Sequence, residues 1–336
     1  MPDRPLVTFA VIAYNQERFI REAVEGAFAQ TYEPLEIILS DDGSPDRTYA
    51  IMEEMAAAYT GPHKVVLNRN EPNLGLVGHV NRIFTLSSGD LICVNAGDDF
   101  SRPDRVEVLY TRWQANGHRH DIMHSSVCAI DENSSSQGYK SPPQNLKECL
   151  SITEKYAQGK QEAFGSTFAY TRRLINKFGP IPDFAEVEDR PMVFRASLAG
   201  GLLFVDEPLV YYRIGGVSSP KQEALGQLIL FGGRIKTLSW RVSSAKCYLA
   251  DLETLGDNNH EIDTKQLRDF IRNGEWEIRL SQKSSLERVK LFPEAIRRTF
   301  SSFSARPLRS YLKYIFWPIY FIFLKLKNNL NKCAPT

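Results

Sequence analysis

Cysteine is scarce in this chain and is never clustered. The 336 residues include five cysteines with no Cys-x-x-Cys pair among them: Cys93, Cys128, Cys149, Cys247 and Cys333. Disulfide scaffolds and structural zinc sites are usually marked by paired or closely spaced cysteines. The sequence therefore excludes both kinds of site and predicts ordinary buried thiols in a reducing compartment.

The signatures of several common protein classes are also missing. No Gly-x-Gly-x-x-Gly follows the first apolar run, and neither Gly-x-x-x-x-Gly-Lys-Ser/Thr nor Gly-x-Ser-x-Gly occurs. Dinucleotide-binding, P-loop and serine-hydrolase functions therefore lack their motifs. Residues 1–5 do not resemble a secretory signal peptide, so we expect a cytoplasmic protein.

No apolar run is long enough to cross a bilayer as a helix. Residues 314–324 form an uninterrupted apolar run of 11 residues, whereas about 20 are needed to cross roughly 30 Å of hydrocarbon. Aromatic residues dominate the run, and Lys313, Lys325 and Lys327 flank it. This composition is typical of a helix lying in the headgroup region of a membrane. A buried helix that covers the protein or a partner subunit is the alternative.

The formal net charge of only +1 conceals an asymmetry along the chain. Residues 234–336 contain 19 basic and 10 acidic side chains, and residues 1–233 contain 22 basic and 30 acidic ones. A basic, aromatic C-terminus predicts contact with an anionic membrane surface. Nucleic acid is not an expected partner, because the basic residues do not interleave with aromatics in a recognised module.

Strand-like and helix-like patterns alternate over the first 120 residues or so. Continuous apolar runs of strand length alternate with helical periodicity, which predicts an α/β fold with a doubly wound, mostly parallel sheet. The pattern is helical after Pro220, so we predict a domain over residues 1–219 and a helical extension over 220–336. Residues 133–143 are rich in Ser, Gly, Pro and Asn and predict a loop.

Acidic pairs follow two of the predicted strands. Asp41 and Asp42 come after the run at 35–40, and Asp98 and Asp99 follow the run at 90–94. Ligands of open α/β sheets bind beyond the carboxyl ends of the strands. The two pairs therefore predict a site for a divalent cation and the diphosphate that it neutralises. Local alternatives are an Asx-turn for the first pair and helix capping for the second.

The order of these and other short motifs resembles the family 2 glycosyltransferases, which have a GT-A fold. The matching segments extend over about residues 5–219, at 11–15, 30–32, 41–46, 73–76, 88–92, 97–99, 103–105, 188–195 and 206–213. The resemblance implies inverting transfer of a sugar from a nucleotide-sugar, with Mg²⁺ or Mn²⁺ as cofactor. The sequence resembles bacterial enzymes that build surface polysaccharides, which implies a saccharide or lipid-linked saccharide acceptor at the inner face of the cell membrane.

The resemblance also assigns roles to the acidic residues. Asp41 and Asp42 would bind the base and ribose of the donor, with uridine favoured because a carboxylate accepts the uracil N–H. Asp99 would bind the metal, and Asp98 would bind the ribose or share the metal. Asp189 would be the general base, with Glu188 as the second candidate. For this last pair, the alternative is an acidic start to a helix.

Three further sites carry open alternatives. Tyr14 is predicted to flank the nucleotide base, or else to pack in the core. Arg213 is predicted to contact the diphosphate, since Arg suits bidentate phosphate contacts, or else to form a surface ion pair with Asp206 or Glu207. Residues 165–167 are predicted to shape the acceptor pocket, or else to cap a helix.

Two positions depart from the family pattern. Ala96 stands where many members have the first Asp of Asp-x-Asp, and Gly215 stands where many have His. A non-catalytic binding or scaffold protein with the same fold is therefore the rival hypothesis, and a nucleotidyltransferase is a weaker one.

Overall fold

The computed structural model describes residues 4–141, 164–215, 227–256, 262, 264–302 and 306–315. The chain divides into two compact units, and each is described by itself. The first comprises Met1–Leu225 and Ala250–Ile262, and the second comprises Gly226–Leu249 and Asp263–Thr336. The domain boundary predicted between residues 219 and 220 lies outside the described residues and stays a prediction.

The N-terminal half of the first unit is a parallel α/β arrangement. Its strands are β1 (Val7–Ala13), β2 (Leu35–Asp41), β3 (Lys64–Arg69) and β4 (Leu91–Ala96). They are connected by α1 (Ile20–Phe28), α2 (Thr48–Ala58) and α3 (Gly75–Leu86). The strands lie side by side in the order β3-β2-β1-β4, all parallel. Every residue of β1 and β2 is buried, as expected for strands covered by helices on both faces.

The second half of the sheet is mixed. It contains β5 (Phe100–Ser101), β6 (Ile122–Ile130), β7 (Ser136–Lys140), β8 (Ala169–Thr171) and β9 (Leu202–Arg213). The described order continues from β4 through β8, β6 and β9 to β5, with β7 beside β6. Of these, β8 pairs antiparallel with β4, and β9 pairs parallel with β6. The predicted doubly wound α/β fold is confirmed, with its parallel core in the first four strands.

One sequence-based expectation in this half needs correction. The segment predicted as a loop at 133–143 contains β7, which pairs antiparallel with β6 through polar residues. Residues 202–213 form one strand, β9, whose register with β6 shifts at Ser126. A bulge of this kind lets a strand continue past an irregular sequence.

Helices complete both units. The first unit also has α4 (Arg105–Ala115), α5 (Arg172–Phe178), α6 (Asp189–Ser197) and a 3₁₀ turn at Gly165–Thr167. The remaining helices are α7 (Gln227–Leu255), α8 (Thr264–Gln282), α9 (Ser285–Val289), α10 (Phe292–Ser302) and α11 (Arg306–Ile315). A core of Trp276, Leu280, Ala295 and Tyr311 holds the second unit together. None of the described helices is both long and apolar enough to span a membrane.

Candidate functional site

The two acidic loops lie on either side of the carboxyl end of β1. The backbone N–H of Asp42 donates to the carbonyl of Ala13 at 2.9 Å, and the N–H of Gly97 donates to the carbonyl of Ile12 at 2.8 Å. Both neighbours of β1 are parallel to it, so their following loops emerge at the same edge of the sheet. The structure therefore brings together the two acidic pairs that the sequence places 57 residues apart.

Asp41 and Asp42 differ in what they bind. The fully buried Asp41 accepts hydrogen bonds from the backbone N–H and the hydroxyl of Ser44, which is the local turn that the sequence predicts. Asp42 Oδ1 accepts from Asn70 Nδ2 and from the N–H of Leu74, both at 2.9 Å. Asp41 is thus placed to hold the turn, and Asp42 is anchored at the head of α3.

Tyr14 lies immediately beyond β1. In the sheet, β1 lies between β2 and β4, the two strands that the acidic loops follow. The side chain of Tyr14 is 40% exposed, so the core-packing alternative is not what the structure shows. The next residue, Asn15, has a φ of 55° and donates its backbone N–H to Ser44 Oγ at 2.9 Å. Tyr14 is therefore accessible at the same edge of the sheet, where its contact with a nucleotide base stays a prediction.

Asp98 and Asp99 are buried carboxylates at the end of β4, with 2% and 3% of their surfaces exposed. Burial and the charge of Asp98 raise the pKa of Asp99 to about 8. The backbone N–H of Arg213 opposes this rise by donating to Asp99 Oδ1 at 2.8 Å. Adjacent buried carboxylates repel each other, and a cation or a shared proton relieves the repulsion.

This pair fits the requirements of Mg²⁺ or Mn²⁺ bound together with a nucleotide. Such ions use one or two protein carboxylates and take further oxygens from phosphate and water. Oxygen donors in a buried, mutually repelling pair supply that kind of ligand. Across the described ranges, no group of three or more His, Cys, Asp or Glu side chains is arranged to hold a metal ion.

Residues that the sequence did not single out fix the shape of this loop. Asn95 Nδ2 donates to the carbonyls of Ala96 and Asp99, at 2.8 and 2.9 Å. Its Oδ1 accepts from Ser101 Oγ and from the fully buried Arg105. Asn95 is a polar residue in an otherwise apolar strand. That position is the sequence signal that could have indicated its bracing role.

Arg213 is enclosed by the protein instead of facing solvent. Only 1% of it is exposed, and its guanidinium donates to the carbonyls of Asp98 and Asp131 and to the carboxylate of Glu22. The predicted surface ion pair with Asp206 or Glu207 is therefore wrong, because Arg213 pairs with Glu22. Its guanidinium and its backbone N–H together hold the loop of Asp98 and Asp99, while a diphosphate contact stays a prediction.

Glu188 and Asp189 lie at the start of α6 and are half-buried. Burial and the charge of Asp189 raise the pKa of Glu188 to about 8. Burial also raises the pKa of Asp189, with Arg190 acting in the opposite direction. The position of both carboxyls at the start of α6 fits the alternative of an acidic helix start, although Glu188 makes no side-chain capping hydrogen bond. Desolvated carboxyls of this kind are typical of acid–base sites.

The 3₁₀ turn at Gly165–Thr167 links the two acidic sites. A side chain at Gly165 would place its Cβ 2.9 Å from Glu188 Oε1. Ser166, the next residue, lies close enough to Asp99 to favour its ionised form, although its buried Oγ makes no hydrogen bond of normal geometry with the described residues. One short turn therefore lies next to both Asp99 and Glu188.

The raised pKa values predict that the metal-free protein loses stability as pH rises. The pKa of Asp99 rises from 3.8 to about 8, and the pKa of Glu188 rises from 4.5 to about 8. The folded state therefore binds these two protons more tightly than the unfolded state does. This stabilisation is complete below about pH 4 and is lost as pH rises through about 8. In EDTA, we expect the melting temperature to fall by several degrees across this range.

Glu188→Gln should reduce this fall, and Glu186→Gln serves as the matched control because Glu186 is an exposed neighbour. Melting temperatures measured by calorimetry over the same pH series give the comparison. If the melting temperature fell equally with pH in all three proteins, the assignment of a tightly bound proton to Glu188 would be contradicted.

Comparison with known sequences identifies relatives of the first unit. The sequence model of the family described as Glycosyl transferase family 2 matches residues 8–179. An uncharacterized glycosyltransferase of Haemophilus influenzae is 27% identical over 226 residues, which cover 64% of this chain and 68% of that protein. The putative glycosyltransferase EpsE of Bacillus subtilis is 31% identical over 132 residues, which cover 39% of this chain and 46% of that protein.

Comparison with solved structures shows the shared fold. The chain matches S. aureus TarS 1–349 in complex with UDP-GlcNAc with a TM-score of 0.53 and 15% identity, over 92% of this chain and 81% of that one. It matches the mannosyltransferase PcManGT from Pyrobaculum calidifontis, in complex with GDP-Man and Mn²⁺, with the same score and identity. That match covers 94% of this chain and 88% of the other. The predicted fold class is confirmed.

Proposed function

Because the chain belongs to glycosyl transferase family 2, we propose that it is an inverting glycosyltransferase that uses a UDP-linked sugar. The acceptor is a saccharide or a lipid-linked saccharide in surface polysaccharide synthesis. The observation that carries the proposal is the short turn at Gly165–Thr167, which adjoins both the acidic loop after β4 and the carboxyl pair at the start of α6.

In this proposal, the donor nucleotide binds at the edge of the sheet beyond β1, β2 and β4. Asp42 accepts the N–H of the uracil ring, Tyr14 flanks the base, and Asp98 contacts the ribose. Asp41 supports Asp42 through the Ser44 turn. The uridine assignment agrees with the UDP-GlcNAc bound to TarS, whereas PcManGT binds GDP-Man, so the base needs a direct measurement.

Asp99 is the proposed ligand for Mg²⁺ or Mn²⁺, with Asp98 as a second oxygen donor. When bound, the ion neutralises charge that develops on the leaving diphosphate. Arg213 acts as a positioning residue in this scheme, because its side chain and backbone hold the loop of both aspartates. Asn95 braces the same loop from the opposite side.

Asp189 is the proposed general base. The acceptor oxygen attacks the anomeric carbon, the bond from that carbon to the diphosphate oxygen breaks, and the acceptor proton passes to Asp189. A single displacement of this kind inverts the anomeric centre and needs no covalent intermediate. In this scheme, Glu188, whose pKa is raised to about 8, carries a proton at neutral pH, and Asp189 acts as the base in its ionised form.

The two departures from the family pattern are compatible with this scheme. Ala96 contributes its carbonyl oxygen to the loop by accepting from the N–H of Asp99 at 3.1 Å. Gly215 has a φ of 82°, a conformation that favours glycine over a side-chain residue such as His. The metal would then depend on the two aspartates and on ligands from the nucleotide.

We also place the enzyme at the cytoplasmic face of the cell membrane as a peripheral protein. The basic and aromatic C-terminal sequence supports this location. Most of the apolar run at 314–324 lies outside the described residues, so the argument for that run rests on its sequence.

Calorimetric titration with UDP, GDP and dTDP, each with and without Mn²⁺, tests the donor site. We expect UDP to bind at least about tenfold more tightly than the others, and more tightly with Mn²⁺ than without. Preference for GDP would overturn the uridine assignment but keep the donor site. Binding of no nucleotide, with or without metal, would overturn the proposal in favour of the non-catalytic rival.

A further inference from the structure

Four large apolar side chains are exposed together in the second unit. They are Leu286 and Val289 on α9, Phe292 at the start of α10 and Leu312 on α11, with 75%, 59%, 47% and 40% of their surfaces exposed. We call these four residues the α9–α11 patch. Single exposed apolar residues are ordinary, but a contiguous group on a folded surface marks an interaction site.

Contacts through Tyr311 show that the patch is continuous. The Tyr311 hydroxyl lies 3.5 Å from the carbonyl oxygen of Val289, and the Tyr311 ring centroid lies 5.5 Å from that of Phe292. Leu312 is the next residue on α11, and Leu286 lies one helical turn before Val289 on α9. Tyr311 therefore contacts Val289 and Phe292, and Leu286 and Leu312 lie close to these contacts along their helices.

The patch is not needed to complete the core of its own unit. Trp276, Leu280, Ala295 and Tyr311 form that core, and Leu291 and Leu308 pack against it. The Ser284 capping box with Glu287 fixes the start of α9, so the exposed positions of Leu286 and Val289 are set by a defined helix. By contrast, α10 and α11 contribute Ala295 and Tyr311 to the core and also carry the exposed side chains of Phe292 and Leu312.

Exposed basic residues lie close to the patch residues in the sequence. Lys290 follows Val289 directly, Arg297 lies on α10, and both are exposed. Neither forms an ion pair with an acidic side chain of the described residues. By contrast, Arg279 and Arg298 both contact Glu294, and Glu287, the acidic residue within α9, is paired with Lys283. Lys290 and Arg297 are therefore available for an anionic partner.

We propose that the α9–α11 patch docks on a lipid surface that contains anionic headgroups. The four apolar side chains enter the headgroup region, and Lys290 and Arg297 contact lipid phosphates. Apolar residues with adjacent cations are the composition of interfacial membrane contacts. Leu312 also lies two residues before the apolar run at 314–324, so the patch and the run are joined in the chain. The proposal rests on the peripheral location proposed above and identifies the surface responsible.

Vesicle co-sedimentation of the full chain tests this proposal. The probes are phosphatidylcholine vesicles with and without about 30% phosphatidylglycerol, which supplies the negative surface. We expect the wild type to prefer the anionic vesicles. Leu286→Asp with Val289→Asp should weaken binding by about tenfold or more, because two apolar side chains no longer enter the headgroup region. Lys290→Glu with Arg297→Glu should remove the preference for anionic vesicles.

A matched control is Ala57→Asp with Ala58→Asp, which adds the same charge at exposed positions of α2 in the first unit. This variant should bind vesicles nearly as the wild type does, and UDP binding should be equal in all the proteins. Undiminished vesicle binding by the Leu286 and Val289 variant would overturn the proposal. Absence of vesicle binding by the wild type would also overturn it. So would the finding that the patch substitutions change a dimer into a monomer without any effect on vesicle binding.

The donor titration separates this proposal from the proposed function. Full UDP binding and sugar transfer without any vesicle binding would refute the patch as a lipid surface and leave the transferase intact. Vesicle binding that depends on the patch, in a protein that binds no nucleotide, would support the surface and refute the proposed activity.

Discussion

Asp189→Asn is expected to lower kcat for sugar transfer by about 100- to 10,000-fold, the range typical for removal of a general base. Asparagine keeps the shape of the side chain but cannot accept the acceptor proton. UDP affinity should remain within about twofold of the wild type, because in the proposed scheme this carboxyl contacts the acceptor and not the nucleotide. Steady-state kinetics and calorimetry on the same preparation measure the two quantities.

Glu188→Gln is the informative companion, since the pKa of Glu188 is near 8 and its side chain is protonated at neutral pH. The neutral amide imitates that state, so kcat near pH 7 should change by less than about tenfold. Asp183→Asn, at an exposed position of the preceding segment, should have no effect. A larger loss in Glu188→Gln than in Asp189→Asn would exchange the two roles.

The pH dependence of kcat/KM should reflect the raised pKa of the general base. The base acts when ionised, and burial raises the pKa of Asp189, so kcat/KM should increase with pH along an acidic limb that lies above the usual value of 3.8. Because Glu188 is protonated and uncharged over that limb, Glu188→Gln should leave the position of the limb nearly unchanged. An acidic limb at the ordinary carboxyl value in the wild type would argue against a buried base.

Asp99→Asn is expected to remove the Mn²⁺-dependent part of UDP affinity and to lower kcat/KM by about 100-fold or more. The carboxylate lies in a buried pair whose repulsion a divalent cation would relieve. Asparagine preserves the hydrogen bond from the N–H of Arg213 through its amide oxygen. Calorimetry with UDP across a Mn²⁺ series measures the change directly.

Asp90→Asn is the matched control for this variant. Asp90 precedes β4 and is exposed, whereas Asp99 follows β4 and is buried. The same chemical change at the other end of one strand should leave metal dependence and turnover unchanged. Retention of Mn²⁺-enhanced UDP binding in Asp99→Asn would transfer the metal role to Asp98 or refute the metal site.

The parallel half of the sheet was predictable because its signals are local. The strands β1, β2 and β4 are rich in apolar residues, and each is buried almost completely. The acidic pairs follow directly after two of them, so the rule that ligands bind beyond strand ends was enough to place both pairs at one edge. The mixed half was harder, because β7 is polar and all of its residues are exposed.

The contacts of Arg213 could not be predicted from the sequence alone. Its residue type fits phosphate, a surface carboxylate or an internal brace equally well, and only the fold brings Glu22, Asp98 and Asp131 around its guanidinium. The same holds for Asn95, whose four contacts depend on the loop that returns from Asp99 to Ser101.

The sequence by itself determined the fold class, the family resemblance and the acidic residues of the candidate site, because apolar periodicity and short motifs act over a few neighbouring residues. The tertiary structure alone decided which carboxyls are desolvated, and hence the raised pKa values of Asp99 and Glu188. It also decided that the turn at Gly165–Thr167 adjoins both sites. Desolvation and charge coupling depend on residues that are distant in the chain and adjacent in space, so no local pattern encodes them.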